Sequence, residues 1–484
     1  MSTGAWRVPD VRAAEKTLMD TLPAGTLMQR AAAGLARRCA QLLTDRFGAV
    51  YARRVLLLVG AGDNGGDALY AGARLAARGV AVRALLLDPD RAHAGGLAAL
   101  RAAGGSTVAA APGVVDLILD GVVGIGGKGG LRPTAASVVS AAASSTASDG
   151  GRPILVAVDV PSGVDPDTGE VPGEAVTADV TVTFGCLKPG LLVGAGATRA
   201  GLVDLVDIGL SPAVPPVLRV ADREDIRGWW PVAGRESDKY TRGVVGVATG
   251  SSTYSGAAVL SVAGASAGPA GMVRYAGSAA DYVRQRYPSV IVTESVERAG
   301  RVQAWVCGSG LGTDERAAGE LRTVLAAPVP VCLDADALSL LADGRMQDLL
   351  RERSAPTVVT PHDREFTRLA GFPPGGDRVA SALGLANQLN VTVLLKGDRT
   401  VVASPDREVW VNPTGTAALA SGGTGDVLSG LLAALLAGGL SGVRAAVAAA
   451  YAHGMAGRAA AEGGPVTSTD VAAALRSSVA AVLA

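Results

Sequence analysis

The sequence predicts an α/β protein built from two successive layered units. Three observations predict it. From Val55 onward, short and nearly uniformly apolar runs alternate with Ala-rich stretches. Near Ser211 the alternation stops, in a segment SPAVPPVLRV that carries three prolines and no helical period. It resumes at Gly243 with the run Val244–Thr249 and continues to the C-terminus. Runs that are apolar on both faces suit parallel strands covered by helices above and below, the arrangement of a doubly wound sheet.

In chain order, Val55–Val59, Val82–Leu87, Val115–Leu119, Ile154–Val158 and Val180–Phe184 are the predicted strands of the first unit. Segments 68–78 and 135–144 are its intervening helices. The boundary is expected near residue 220, with a polar segment from Asp222 to Arg242 after it, which gives units of residues 1–215 and 222–484. Two domains suit a chain of 484 residues at about 100–200 residues each. The most apolar stretch, Val427 to Leu440, is broken by Ser429, Gly430, Gly438 and Gly439. It falls short of the roughly 20 apolar residues of a membrane span and predicts a buried helix.

Acidic and basic side chains balance at 44 each, so no bulk charge favours nucleic acid or an anionic membrane. The four cysteines (Cys39, Cys186, Cys307, Cys332) form no C-x-x-C pair, and no His stands at ligand spacing from them. They are expected to be small buried residues in a reducing compartment rather than a zinc or redox site. The N-terminus carries Arg7, Asp10, Arg12, Glu15 and Lys16 before any apolar stretch, unlike a signal peptide. A cytoplasmic protein is expected. Arg is the default cation, and the five lysines (Lys16, Lys128, Lys188, Lys239, Lys396) each become candidates for a specific role.

The first chemical signal is a predicted strand running into Gly60-Ala-Gly-Asp-Asn-Gly-Gly-Asp67, with a helix expected from Ala68. Glycines permit positive φ and close approach of a ligand, and a helix N-terminus supplies free N–H donors for phosphate. It is neither the G-x-G-x-x-G fingerprint nor a Walker loop, and alone it reads equally as a tight strand–helix turn. Two further strand ends sharpen it. One places Asp120 before a second glycine-rich loop, Gly124-Ile-Gly-Gly-Lys-Gly-Gly130, and the other places Asp159 in Asp-Val-Pro-Ser-Gly163. An Asp at a strand end can also simply cap a turn, but ligands of open α/β sheets bind outside these carboxyl ends.

The set D-N-G-G-D, L-D-G-V-V-G-I-G, D-V-P-S-G-V-D and T-F-G-C-L-K-P-G resembles the epimerases that interconvert the two C6 epimers of hydrated NADH and NADPH. The segment Leu27-Met-Gln-Arg-Ala31 is similar to their opening helix, and the likeness spans roughly residues 8–210. The resemblance implies a Rossmann-like domain. Asp63, Asn64, Gly65, Gly66 and Asp67 would bind substrate phosphate and ribose. Asn64, Asp120 and Ser162 would hold a potassium ion. Gly124, Ile125, Gly126, Gly127, Lys128, Gly129 and Gly130 would form a second wall, with Lys188 helping to position the ligand. Asp159 would contact the hydrated ring and act as acid/base, because exchange at a hemiaminal-like carbon needs proton transfer as hydroxyl leaves and returns. The family usually has two Asn in the first loop. Here the first is Asp63, whose charge is expected to weaken phosphate binding slightly.

The second unit's core signal is Ser421-Gly-Gly-Thr-Gly-Asp426, before an apolar helix expected from Val427. Backbone N–H groups there make an anion hole suited to a transferring phosphoryl group, and Asp426 follows where a carboxylate could accept a hydroxyl proton. G-G-T-G-D resembles the ribokinase-like fold. With Tyr254-Ser-Gly-Ala257, Cys307-Gly-Ser-Gly-Leu-Gly312, Thr360-Pro-His-Asp-Arg-Glu365 and Lys396-Gly-Asp-Arg-Thr400, the stretch 235–484 is similar to the dehydratases that restore hydrated NAD(P)H at the expense of ADP or ATP.

That resemblance implies that Lys396, Gly397, Asp398, Arg399, Thr400, Gly422, Gly423, Thr424 and Gly425 hold the adenine nucleotide. Ala257, Gly310, Gly312 and His362 would contact the hydrated dinucleotide, and Asp426 would deprotonate its C6 hydroxyl. Magnesium is expected at the phosphoryl group, and a homo-oligomer is expected. His362 alone would suit a core histidine, but its place after Thr-Pro at a strand end favours ligand contact. His93 and His453 lie outside the motifs and are read as structural. Two departures from the family stand out. Asp238-Lys239 replaces a His-Lys pair, with an expected effect on nucleotide handling, and Ser309 replaces a Pro, with a mild effect expected. The rival readings are a small-molecule kinase and a non-catalytic nucleotide sensor.

Overall fold

The computed structural model describes residues 3–344 and 346–484. The chain divides into one unit spanning Gly4–Val217 and another built on Leu218–Ala484.

In the first unit, helices α1 (Val8–Met19) and α2 (Thr26–Phe47) lead into β1 (Arg54–Val59). There follow α3 (Asp63–Ala76), β2 (Ala81–Leu86), α4 (Ala94–Ala102), β3 (Ser106–Val108) and β4 (Leu117–Gly121). The unit ends with α5 (Pro133–Ala143), β5 (Ile154–Val158), β6 (Val180–Phe184), α6 (Gly194–Ala200) and β7 (Leu202–Val206). The strands lie in the order β3-β2-β1-β4-β5-β6-β7, every pair parallel. The chain winds outward to β3, returns to place β4 beside β1, and winds out the other way. The switch point is therefore the crevice between β1 and β4.

The apolar runs are explained by burial on both faces. Val55, Leu57 and Val59 of β1 enter one core cluster, and Leu56 and Leu58 enter the other. The sequence missed β3 and β7 because they are sheet edges, half exposed and without a continuous apolar run. Helix α3 begins at Asp63, five residues before its expected start, because Gly62 takes φ +97° and turns the chain directly into helix. The loop residues Asp63–Asp67 are thus the first helical turn.

The second unit begins with β8 (Leu218–Val220), α7 (Arg223–Trp229), β9 (Val244–Ala248), α8 (Ser255–Ala267), β10 (Met272–Ala276), α9 (Ala280–Arg286) and β11 (Ile291–Thr293). It continues with β12 (Ala304–Cys307), α10 (Glu315–Ala326), β13 (Val331–Leu333), α11 (Asp336–Ala342), α12 (Gln347–Arg351), β14 (Thr357–Val359) and α13 (Asp363–Ala370). Then come α14 (Arg378–Leu389), β15 (Thr392–Leu395), β16 (Val401–Ala403) and β17 (Val409–Val411), closed by α15 (Thr424–Ala437), α16 (Gly442–Ala461) and α17 (Ser468–Leu483). From β11 the sheet runs β10-β9-β12-β13-β14-β15 in parallel, then turns antiparallel through β16 and β17. It is a mixed sheet.

The apolar stretch near Val427 is α15, buried along nearly its whole length. It crosses α8 at backbone contact. A Cβ on Gly264 would stand 2.0 Å from the Val427 carbonyl oxygen, and one on Gly430 would stand 2.0 Å from that of Ser261. Among the described residues no helix is long and apolar enough to cross a membrane. All four cysteines are buried and free.

Candidate functional site

Each unit gathers its candidate residues at the carboxyl ends of its parallel strands. In the first, Gly60 follows β1 so closely against β4 that a Cβ on it would meet the Val122 carbonyl oxygen at 1.9 Å. This contact requires glycine and narrows the crevice. The N-cap of α3 is Gly62, which offers no side-chain acceptor, so the first-turn N–H groups remain available to a ligand.

Asp159 follows β5 with φ +65°, a conformation that costs a non-glycine residue energy and is typical of functional sites. Its Oδ1 accepts from Lys188 Nζ at 2.6 Å, from Thr183 Oγ1 at 2.9 Å and from Phe184 N at 3.2 Å. All three donors meet one oxygen, which leaves Oδ2 for another partner. Lys188 is 1% exposed, and its remaining donors go to Thr183 Oγ1 and the Phe184 carbonyl. Sequence reasoning gave Lys188 a hand in positioning the ligand. In the structure its ammonium is bonded to Asp159.

Asp120 on β4 is fully buried, and its carboxylate takes hydrogen bonds from the Ser162 amide at 2.8 Å and the Ser162 hydroxyl at 2.7 Å. The Ser162 hydroxyl in turn accepts from Val123 N at 2.9 Å. Burial pushes Asp120 up to about 6, against the lowering effect of those bonds. Asn64 lies beside them: its Oδ1 is 2.8 Å from where a Cβ of Gly124 would be, and its Nδ2 is buried without a partner. One buried carboxylate among neutral oxygen donors fits a hard monovalent cation, which would offset the charge that burial penalises.

Asp67 was expected to face phosphate or ribose. Its Oδ1 is buried and unpartnered, and its pKa is raised well above the ordinary carboxylate value by burial and by the charges of Asp159, Asp63 and Glu15. Within the 124–130 loop, Gly126, Lys128 and Gly129 are exposed, and Gly124, Ile125, Gly127 and Gly130 are half-buried.

In the second unit, Gly310 takes φ +62°, and a Cβ there would stand 2.8 Å from that of Ala257, so these two predicted residues share one wall. Gly312 N is already engaged by Asp336 Oδ2 at 2.9 Å. Helix α15 starts at Thr424, three residues before its expected start, because Gly423 with φ +87° makes the turn. Asp426 therefore sits in the first helical turn. Again the glycine N-cap leaves the first N–H groups without a side-chain acceptor. Lys396 Nζ lies 3.5 Å from where a Cβ of Gly425 would be.

Asp426 is pushed up to about 7 by burial and by the charge of Asp334, against the opposing effects of a Ser309 hydrogen bond and Lys396. Lys396 binds Asp334 Oδ1 at 2.9 Å and Glu365 Oε2 at 3.5 Å. Burial disfavours its charge, but the two carboxylates outweigh this and raise its pKa.

His362 is neither a core residue nor engaged with the base. Its Nδ1 accepts from the amides of Arg364 and Glu365, capping α13, and its half-exposed ring leaves Nε2 3.5 Å from Glu365 Oε1. His93 caps α4 in the same way. Thr400 Oγ1 closes the 397–400 turn on the Gly397 carbonyl, and Arg399 reaches the Pro413 carbonyl. Asp398 lies so close to the 412–415 segment that a Cβ on Gly415 would meet its carbonyl at 1.8 Å. Asp238 accepts from the amides of Tyr240 and Thr241 in an exposed turn.

Sequence reasoning missed Thr183, Asp334 and Glu365, and undervalued Ser309. Ser309 is fully buried and donates to Asp334 Oδ2 at 3.4 Å. Asp334 carried a usable signal, an Asp-Ala-Asp at the end of an apolar run, with Ala335 at φ +50°.

Residues 245–477 match the family described as NAD(P)H-hydrate dehydratase, and residues 24–190 match that described as YjeF-related protein N-terminus. The chain is 50% identical over 434 residues to the bifunctional NAD(P)H-hydrate repair enzyme of Mycobacterium tuberculosis, covering 90% of this chain and 89% of that protein. It is 38% identical to that of Corynebacterium glutamicum, over 88% of this chain and 86% of that one. A ribokinase-like superfamily protein from Enterococcus faecalis matches 55% of this chain and 96% of its own at 24% identity and TM-score 0.50, which supports the fold of the second unit alone. On identity and coverage together, the chain belongs to the bifunctional NAD(P)H-hydrate repair enzymes, which join an epimerase to an ADP/ATP-dependent dehydratase.

Proposed function

We propose that the Gly4–Val217 unit exchanges the R and S epimers of hydrated NADH and NADPH through Asp159, and that the Leu218–Ala484 unit dehydrates the S epimer through Asp426. The observation that carries this reading is shared by both units. Each sets a largely buried carboxylate near the carboxyl ends of its parallel strands, together with a helix whose glycine N-cap leaves its first amides open.

In the first unit, Lys188 and Thr183 hold Asp159 by one oxygen, so the other exchanges protons with the C6 hydroxyl and with water. Residues 63–67 and 124–130 flank the ligand. Asn64, Asp120 and Ser162 would hold potassium, which would neutralise Asp120 and fix the second glycine loop through Val123.

In the second unit, Ala257 and Gly310 form the wall for the hydrated ring, with Gly312 and His362 nearby. Asp426 takes the C6 hydroxyl proton, and the oxygen receives a phosphoryl group from ADP or ATP. Phosphate then leaves with the C–O bonding electrons, and loss of the C5 proton restores the ring double bond. With ADP the other product is AMP. Lys396 to Thr400 and Gly422 to Gly425 hold the nucleotide. The described residues contain no group of three or more His, Cys or acidic ligands. Magnesium would therefore be held mainly by the phosphates and retained waters. A cytoplasmic, homo-oligomeric enzyme is the setting this reading favours.

The test is racemic hydrated NADH with and without ADP, ATP and magnesium. Recovery of nicotinamide absorbance with phosphate release is expected. A stable phosphorylated product would instead identify a small-molecule kinase, and nucleotide binding without turnover a sensor.

A further inference from the structure

Two candidate ligand loops of the second unit are fastened together by a residue outside both. The 360–365 segment follows β14 and the 396–400 turn follows β15, and they share one backbone bond, from Lys396 N to the Pro361 carbonyl at 2.9 Å. Arg378, the first residue of α14, adds a side-chain tie. Its Nη2 donates to Asp363 Oδ1 at 2.9 Å and its Nη1 to Asp363 Oδ2 at 3.2 Å. The same Nη2 donates to the Lys396 carbonyl at 2.8 Å. A Cβ on Gly397 would stand 3.4 Å from that nitrogen, so the guanidinium lies against the turn.

An ordinary surface ion pair adds little. This one is a fork onto both carboxylate oxygens, which a lysine cannot copy, and it shares a nitrogen with a backbone carbonyl. Its effect is to fix positions. Asp363 opens α13, and the amides of the next two residues, Arg364 and Glu365, donate to His362 Nδ1 at 3.1 Å and 3.3 Å. Holding Asp363 therefore holds the turn that orients the His362 ring. Lys396 opens the turn in which Gly397 and Asp398 are exposed, and holding its carbonyl holds the start of that turn. The tie has a firm base, because α14 buries Val379, Ala382, Leu385, Ala386 and Leu389.

We infer that Arg378 is a positioning residue that joins the dinucleotide and nucleotide subsites of the dehydratase, aligning His362 and the 396–400 turn together. This deepens the dehydratase reading and rests on it. Arg378 touches no reacting atom in this role. The two ligands meet a surface set in advance, and a surface set in advance lowers the ordering cost of binding. Loss of the guanidinium releases both loops at once. Both affinities then fall, while the step at Asp426 keeps its rate once both ligands are bound.

The full-length chain with magnesium tests this. ADP affinity is read by titration without dinucleotide, and the KM for hydrated NADH is read at saturating ADP. Arg378→Met should weaken ADP binding about 10-fold, the scale of one hydrogen bond to a charged group. It should raise the KM for hydrated NADH by a similar factor and leave kcat unchanged. Arg378→Lys should recover part of both losses, since an ammonium can still reach one of the partners. Asp363→Asn should weaken both ligands to a smaller extent, and adding it to Arg378→Met should change nothing further. Should Arg378→Met fail to fold, Asp363→Asn carries the test alone. A fall in kcat with both affinities intact would overturn the inference, since a misfolded fraction gives that result. So would weakening of one ligand alone, or no change in either. If the wild-type chain bound ADP without restoring hydrated NADH, the dehydratase reading itself would fall, and the inference with it.

Discussion

Two lysines distinguish the two sites. Lys188 is bonded to the proposed base itself, at 2.6 Å from Asp159. Lys396 is bonded to a neighbour, Asp334, at 2.9 Å and acts on Asp426 through its charge. The first arrangement supplies a carboxylate with a standing counter-charge, suited to moving protons back and forth in a reaction that consumes nothing. The second leaves the base short of compensation, poised at about 7, where it can take a proton once and hold it while phosphoryl transfer proceeds. Asp334 sets this balance twice over, because it occupies the lysine and adds its own charge beside Asp426. The position of a cation relative to a carboxylate thus matters more than its presence in the pocket.

The largest expected effect breaks the first arrangement. Lys188→Met leaves Asp159 buried without its partner, and losing one member of a buried pair costs about 3–5 kcal/mol. Thermal unfolding should show the Gly4–Val217 unit destabilised with the second unit unaffected. Next come the bases. Asp426→Asn should cut dehydration by at least about 100-fold while ADP titration shows binding retained, and Asp159→Asn should do the same to epimerisation alone. Loss of binding along with turnover in Asp426→Asn would mean that the residue organises the site instead.

A pH profile sharpens the comparison further. The Asp426 base must be deprotonated to act, so dehydration should fall about tenfold per pH unit below about 7 and level off above it. The smallest effect is expected at Ser309. Its hydrogen bond lowers the Asp426 pKa, so Ser309→Ala should move the acid limb to higher pH. Turnover at pH 6 should drop about fivefold, the scale of one hydrogen bond worth about 1 kcal/mol.

Much of this architecture was legible in the sequence. Apolar runs marked the interior strands because both faces are covered, and glycines marked the tight turns. The edge strands β3 and β7 were hidden because partial exposure removes the apolar signal. Helix starts were placed late at both glycine loops, since Asp, Asn and Gly resemble loop until Gly62 and Gly423 are known to make the turn. Asp159, Asp120 and Asp426 announced themselves by their motifs. Thr183 and Glu365 lay inside quoted motifs without a role, since the carboxylate and the lysine they meet, Asp159 and Lys396, are distant in sequence. The bond from Lys188 to Asp159 was equally invisible, because a lysine beside a strand end looks the same whether it faces a ligand or the protein.

The crossing of α8 and α15 carries a mechanical consequence. Ala257 lies in the first turn of α8 and Asp426 in the first turn of α15, and the two helices touch backbone to backbone at Gly264 and Gly430. The proposed ring wall and the proposed base therefore sit on two helices whose separation is set several residues away. A methyl group at either glycine would act as a shim, prying the helices apart without touching a ligand.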